Sequence, residues 1–201
     1  MRKTAGVPAK AGSDPDLSFA DRLPLTQTAI QFATERHGDQ RRRADEAPFV
    51  FHPIEAASLL ERADYPDHVV AAAVLHDVLE DTDVERSDLE ARFGSEVAEL
   101  VATVSDDPSI EDTEEQKADV RERVRRAGGY AAAVYAADKI SKTRELRTMM
   151  ARGIGGEEVH VKRERYRKSL AMLETVIPGS RLVELLRFEL EALDELPPAG
   201  G

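Results

Sequence analysis

Ala71-Ala72-Ala73-Val74-Leu75-His76-Asp77-Val78-Leu79-Glu80-Asp81-Thr82-Asp83 is the stretch on which the fold turns. Its first half is uninterrupted apolar sequence without glycine or proline, which reads as the buried face of a helix, and we expect one apolar helix from His68 to Leu79. Four charged or ionisable groups then arrive within six residues. On one helix, His76 stacks on Glu80 and Asp77 on Asp81, because positions four apart share a face. An imidazole and three carboxylates beside an apolar surface are costly unless they are paired or bound to a cation. Alone, the pair reads better as a satisfied core histidine followed by a solvated helix end.

Two distant features favour the cation. His52-Pro53 supplies a second imidazole where a helix begins, since proline suits the first turn. Asp138 stands in the middle of an apolar run from Ala131, although aspartate is a poor helix-interior residue. Two imidazoles and two carboxylates suit a borderline divalent ion such as Mn²⁺, Fe²⁺ or Zn²⁺. Spacing alone leaves open whether the four converge.

Outward from these residues the chain reads as helix after helix: Leu25 to Arg36, Ile54 to Arg62, Ser87 to Arg92 with Glu90 at capping-box distance, Ser95 to Ser105, Thr113 to Ala127, Tyr130 to Met150, Val159 to Ile177 and Ser180 to Leu196. Period-two alternation is absent, so the expected class is all-α, a compact helical array. Residues 1–16, rich in Gly, Pro, Ala, Ser and Asp, are expected to be a disordered lead, residues 17–196 a single domain, and 197–201 a flexible tail.

The 201 residues carry a formal charge of −11 and no cysteine. Thiolate metal sites and disulfides are excluded, and sequence-independent nucleic-acid binding is disfavoured. No apolar run reaches the roughly 20 residues that cross a bilayer, and no signal peptide is evident, so a cytoplasmic location is expected. A local arginine cluster can still reverse the field in one cleft. Arg41-Arg42-Arg43 is such a cluster and favours an anion contact. His68 reads as a surface or capping residue and His160 as solvated.

Arg36-His37-Gly38-Asp39-Gln40-Arg41-Arg42, Ala47-Pro48-Phe49, His52-Pro53, His76-Asp77-Val78-Leu79-Glu80-Asp81-Thr82, Phe93-Gly94 and Ala137-Asp138-Lys139, in that order, resemble the hydrolase domain of the RelA/SpoT family, and particularly its small stand-alone members. The resemblance covers about residues 20–150. It implies an HD-type, metal-dependent phosphohydrolase that removes pyrophosphate from the 3′ position of guanosine tetraphosphate or pentaphosphate. It makes His52, His76, Asp77 and Asp138 the metal ligands, with manganese the usual ion. Glu80 and Asp81 become the pair that activates water and transfers a proton. Arg42 and Arg43 face the nucleotide, Lys142, which adds positive charge, and Arg144, retained in its expected place, are expected on the substrate side, and His37 takes a support or substrate role. This chain departs from the family where Tyr135 replaces a lysine and Lys142 an asparagine associated with the sugar and base side. A glycine usual before Pro48 is also missing. The alternatives are hydrolysis of another phosphorylated nucleotide, such as a nucleotide monophosphate or NADPH, or a metal- or nucleotide-binding module with little turnover. The oligomeric state stays open, a homo-oligomer included.

Overall fold

The structure is a computed structural model that describes residues 15–195. The expected lead and tail therefore fall outside the described residues, apart from Pro15 and Asp16. After a 3-10 turn at Ser18–Ala20, the described residues form ten α-helices: α1 (Pro24–His37), α2 (Phe51–Glu61), α3 (Asp67–Leu75), α4 (Val78–Asp81), α5 (Arg86–Phe93), α6 (Ser95–Val104), α7 (Thr113–Ala127), α8 (Gly129–Ala151), α9 (Gly156–Val176) and α10 (Arg181–Asp194). The all-α expectation holds. Of these helices, none is long and apolar enough to cross a membrane.

Two helices form the centre. Every residue of α3 from Val69 to Leu75 is buried, and so is α8 from Ala131 to Ser141. Both are rich in alanine, whose small side chains let backbones approach closely, so that neighbours surround each helix on most sides. Around α3 pack α1, α2, α6 and α8, while α8 also meets α7, α9 and α10. Fully buried side chains such as Leu60, Leu75, Leu146 and Leu186 fill the spaces between them. Each stabilises the fold by roughly 1.5–3 kcal/mol relative to exposure.

The expected helix over His68–Leu79 is in fact two. Helix α3 stops at Leu75, a turn at His76 and Asp77 follows, and α4 restarts at Val78. The Asp77 carbonyl accepts from the amides of Glu80 (3.2 Å) and Asp81 (3.0 Å), and the Ser105 hydroxyl, which donates to the Val101 carbonyl at 2.8 Å, lies 3.3 Å from the His76 carbonyl. The break turns His76 and Asp77 inward at the end of the most buried helix. A second boundary also differs. Helix α5 begins at Arg86, with Glu85 and Asp88 forming the reciprocal capping box in place of Ser87 and Glu90.

Asp67, the first residue of α3, caps α1 from a distance. Its carboxylate accepts from the amides of Leu25 (3.0 Å) and Thr26 (2.9 Å), satisfying donors that a helix start leaves free. Gly155 sets the entry to α9. Its φ is +100°, and a Cβ there would lie 2.7 Å from Val159 and 2.8 Å from Met149, so only glycine lets α9 fold back over α8.

Candidate active site

The break after α3 aims His76 and Asp77 at the middle of α8, where Asp138 sits, while the start of α2 supplies His52. All four residues are nearly inaccessible, at 1–4% exposure. The Nε2 atoms of His52 and His76 are 3.1 Å apart. Each lies 3.2 Å from Oδ1 of Asp138, and they stand 3.3 and 3.2 Å from Oδ2 of Asp77. The fold thus converges the four residues that the sequence left as separate candidates. His52, His76 and Asp138 alone offer three ligand atoms within 4.8 Å of one another.

The chemistry of this donor set fits a divalent cation. Nδ1 of His76 lies 2.7 Å from the Ala73 carbonyl, which can only accept, so Nδ1 carries the proton and the neutral ring presents a lone pair at Nε2. Lone pairs from two rings and two carboxylates then face one small volume. Oδ2 of Asp77 is buried and accepts no well-aligned hydrogen bond. Such a knot of acceptors demands positive charge. A proton can supply some of it: burial opposes the charged His76 ring, but Asp77 and Asp138 outweigh burial and raise the ring to about 10. A divalent ion supplies more charge in the same place.

Two lysines lean on the same carboxylates. Lys139 Nζ lies 2.5 Å from Asp138 Oδ2, and Lys142 Nζ lies 3.1 Å from Asp138 Oδ1 and 3.4 Å from Asp77 Oδ1. Burial works against the charged form of Asp138, but Lys139, Lys142 and His76 hold its carboxyl well below the usual range. Asp77 behaves alike, with His76 and Lys142 opposing the cost of burial.

Glu80 and Asp81 stand at the rim, exposed to solvent. Partial desolvation of each carboxyl by the protein around the knot, and then the charge of Asp77, raise both above the ordinary carboxylate range, against the pull of Lys142. Oε1 of Glu80 accepts from the Asp106 amide at 2.9 Å. That amide is held in place because Arg123 of α7 donates to the carbonyls of Ala102 (2.7 Å), Thr103 (2.9 Å) and Ser105 (2.6 Å), capping the end of α6.

Beyond the lysines a cleft of about 380 Å³ opens between α7, α8, α9 and the loop after α1. Nine of its sixteen lining residues are Lys or Arg, and Glu145 is the one acid. In a chain of net charge −11 this reverses the local field. Arg41, Arg42 and Arg43 line it from the loop, and Arg42 and Arg43 also pair with Asp45 and Glu158. Among the described residues Arg41 and Arg121 form no ion pair. Lys117 and Arg121 of α7 and Lys162 and Arg165 of α9 were not singled out from sequence, where their helices read only as charged. Tyr135, Tyr166 and Phe49 give the cleft aromatic faces, and the Tyr135 hydroxyl sits 2.9 Å from that of Ser169.

His37 supports the site from the side. Its buried ring packs on Phe49 at 4.8 Å between centroids, and Nδ1 lies 2.9 Å from Oε1 of Gln40. The Gln40 amide in turn donates to the Asp81 carbonyl at 2.8 Å. Gln40 is a link that sequence reasoning missed. The substrate-side placement of Arg144 is corrected: it points to the far side of α8, donating to Glu55 (2.8 Å) and Glu189 (2.6 Å), and does not line the cleft. Two residues along from Lys142 puts it about 200° round the helix, on the opposite side, where buried Glu189 claims it. His68 packs edge-on against Tyr130, and His160 is exposed, as expected.

Comparison with known proteins agrees with this geometry. A family model described as "HD domain" matches residues 29–167. The guanosine-3′,5′-bis(diphosphate) 3′-pyrophosphohydrolase MESH1 of Danio rerio is 35% identical over 133 residues, covering 65% of this chain and 73% of the relative. The human protein of the same name is 38% identical over 121 residues, 59% of this chain and 67% of its own length. The corresponding pyrophosphohydrolase of Aquifex aeolicus is 38% identical over 98 residues, and there the alignment takes in 14% of the relative's length. A solved structure titled "A metazoan ortholog of SpoT hydrolyzes ppGpp and plays a role in starvation responses" superposes with a TM-score of 0.74 at 28% identity, covering 92% of this chain and 99% of that one. Since the family model runs through every donor residue and the zebrafish relative is matched over most of its own length, this chain belongs to the HD-domain family.

Proposed function

We propose that this protein is a divalent-metal-dependent phosphohydrolase acting on a guanosine 3′,5′-bis(diphosphate), releasing pyrophosphate from its 3′ position. One observation carries the reading: a knot of two imidazoles and two carboxylates opens, through Lys139 and Lys142, onto a cleft lined by nine cations. The names of the relatives support the choice of substrate. In this reading His52, His76, Asp77 and Asp138 hold the ion, and Mn²⁺ is the ion assigned on family resemblance. Residues 17–196 act as one domain.

The ion when bound lowers the pKa of water and offsets charge on a phosphoryl group. The chain's own residues supply the rest. Arg41, Arg42, Arg43 and Arg121 draw an anionic nucleotide into the cleft, and arginine forks suit its phosphate oxygens. Glu80 and Asp81, both held above the ordinary carboxylate range, suit the taking and giving of a proton. Phe49, half-buried at the cleft wall, provides an apolar face for a nucleoside.

Purified protein with Mn²⁺ is expected to release pyrophosphate from guanosine tetraphosphate. No release above a chelated control, with turnover of another nucleotide in the same panel, would overturn the substrate and keep the hydrolase. That second reading has a specific basis, because Tyr135 and Lys142, the two departures from the family, both line the cleft.

A further inference from the structure

On the face of α8 away from the cleft, a line of polar contacts runs to the buried ring of His52. Nδ1 of His52 lies 2.9 Å from Oγ of Ser141, and Ser141 Oγ donates to Oε2 of Glu55 at 2.6 Å. Arg144 donates to the other oxygen of Glu55 at 2.8 Å and to Glu189 at 2.6 Å, and Arg147 donates to Glu189 at 2.7 Å. His52, Ser141 and Glu189 are 1, 2 and 4% exposed. None of these residues other than His52 enters the cation knot or the cleft.

The direction of each bond is forced. An ionised carboxylate only accepts, so the single Ser141 proton goes to Glu55. The Ser141 oxygen can then only accept from His52, which places a proton on Nδ1 and leaves Nε2 with a bare lone pair. Nε2 is the atom 3.1 Å from Nε2 of His76. His76 reaches the same state through the Ala73 carbonyl, a main-chain group present whatever the side chains are. For His52 the orientation depends on two side chains, Ser141 and Glu55, and Arg144, itself tied to Glu189, holds Glu55 in place.

We propose that Ser141 and Glu55 are positioning residues that hold His52 in its metal-binding tautomer, a serine-relayed form of the carboxylate–histidine–metal arrangement. This rests on the divalent-metal reading of the four-residue knot. Groups that orient a ligand histidine from behind are typically worth 10–100-fold in metal affinity.

The test uses the full chain stripped of metal and titrated calorimetrically with Mn²⁺, beside thermal melts of the metal-free forms. Ser141→Ala and Glu55→Ala are expected to bind Mn²⁺ about 10–100-fold more weakly. Ser141→Thr keeps the hydroxyl and is expected to bind within a few-fold of wild type. Ser141→Ala removes one oxygen atom, so its metal-free melting point is expected to stay close to wild type. Wild-type affinity in Ser141→Ala overturns the relay, and so does an equal loss in Ser141→Thr and Ser141→Ala. Absence of Mn²⁺ uptake by the wild type itself overturns the metal-site reading, an outcome distinct from either.

Discussion

Replacing Lys142 by glutamine is expected to make the metal-free protein less stable and its metal binding tighter. The ammonium lies 3.1 Å from Asp138 and 3.4 Å from Asp77, both at most 5% exposed in their side chains. At an effective dielectric near 20, each contact is worth roughly 5 kcal/mol before desolvation is subtracted. The lysine side chain is 29% exposed, so solvent screens part of that. Exposed pairs contribute about 0.2–1 kcal/mol, and breaking a fully buried pair costs about 3–5 kcal/mol. A net loss of about 2 kcal/mol lies between these limits. For a chain of this size that lowers the metal-free melting point by about 4–8 °C. A divalent ion takes the same two carboxylates, so wild type gives up most of this interaction on loading and K142Q has nothing to give up. The affinity of K142Q should therefore be about ten- to thirty-fold higher, since about 1.4 kcal/mol is tenfold. Scanning calorimetry in chelator and at saturating Mn²⁺, with isothermal titration, measures both arms. The melting-point gap should open in chelator and close with metal. An unchanged metal-free melting point together with weaker Mn²⁺ binding would refute the competition.

Asp77→Ala should abolish stoichiometric Mn²⁺ uptake, whereas Glu80→Gln should bind Mn²⁺ normally and lose about 10²–10⁴-fold in rate, which equilibrium dialysis and initial rates distinguish. In chelator, stability should fall from neutral pH toward pH 10. The His76 ring is raised from 6.5 to about 10, so its contribution is complete below pH 6.5 and is lost as pH rises through about 10. The same lost proton no longer competes with the ion, so Mn²⁺ affinity should climb with pH over this interval, by up to about tenfold per unit. Arg123→Ala should cost about 1–3 kcal/mol in chemical denaturation, because three carbonyls at the end of α6 lose a charged donor. It should also slow turnover through the Asp106 amide that holds Glu80.

Helical class was legible because the evidence for it is local. Apolar runs at 69–75 and 131–137 and Pro53 in a first turn act within a few residues, and alternation was nowhere present. The donors His52, His76, Asp77 and Asp138 were legible one at a time, each as an ionisable residue in apolar surroundings, and the family resemblance supplied their grouping. What the chain could not announce was contact across 62 or 89 positions. The turn at His76 lies against Ser105, just past the end of α6, and the apolar run before it does not show where the helix breaks. Arg144 looked like a neighbour of the substrate and is the partner of buried Glu189. Lys117, Arg121, Lys162 and Arg165 were ordinary charges on two separate helices until packing put them around one cleft. The sequence by itself determined which segments are helical and which residues can carry the chemistry, since propensity, capping and side-chain type are local properties. Tertiary structure alone decided which of those residues share a volume. Only there do two carboxylates and two imidazoles lose water together, and that shared desolvation makes a cation the group they hold.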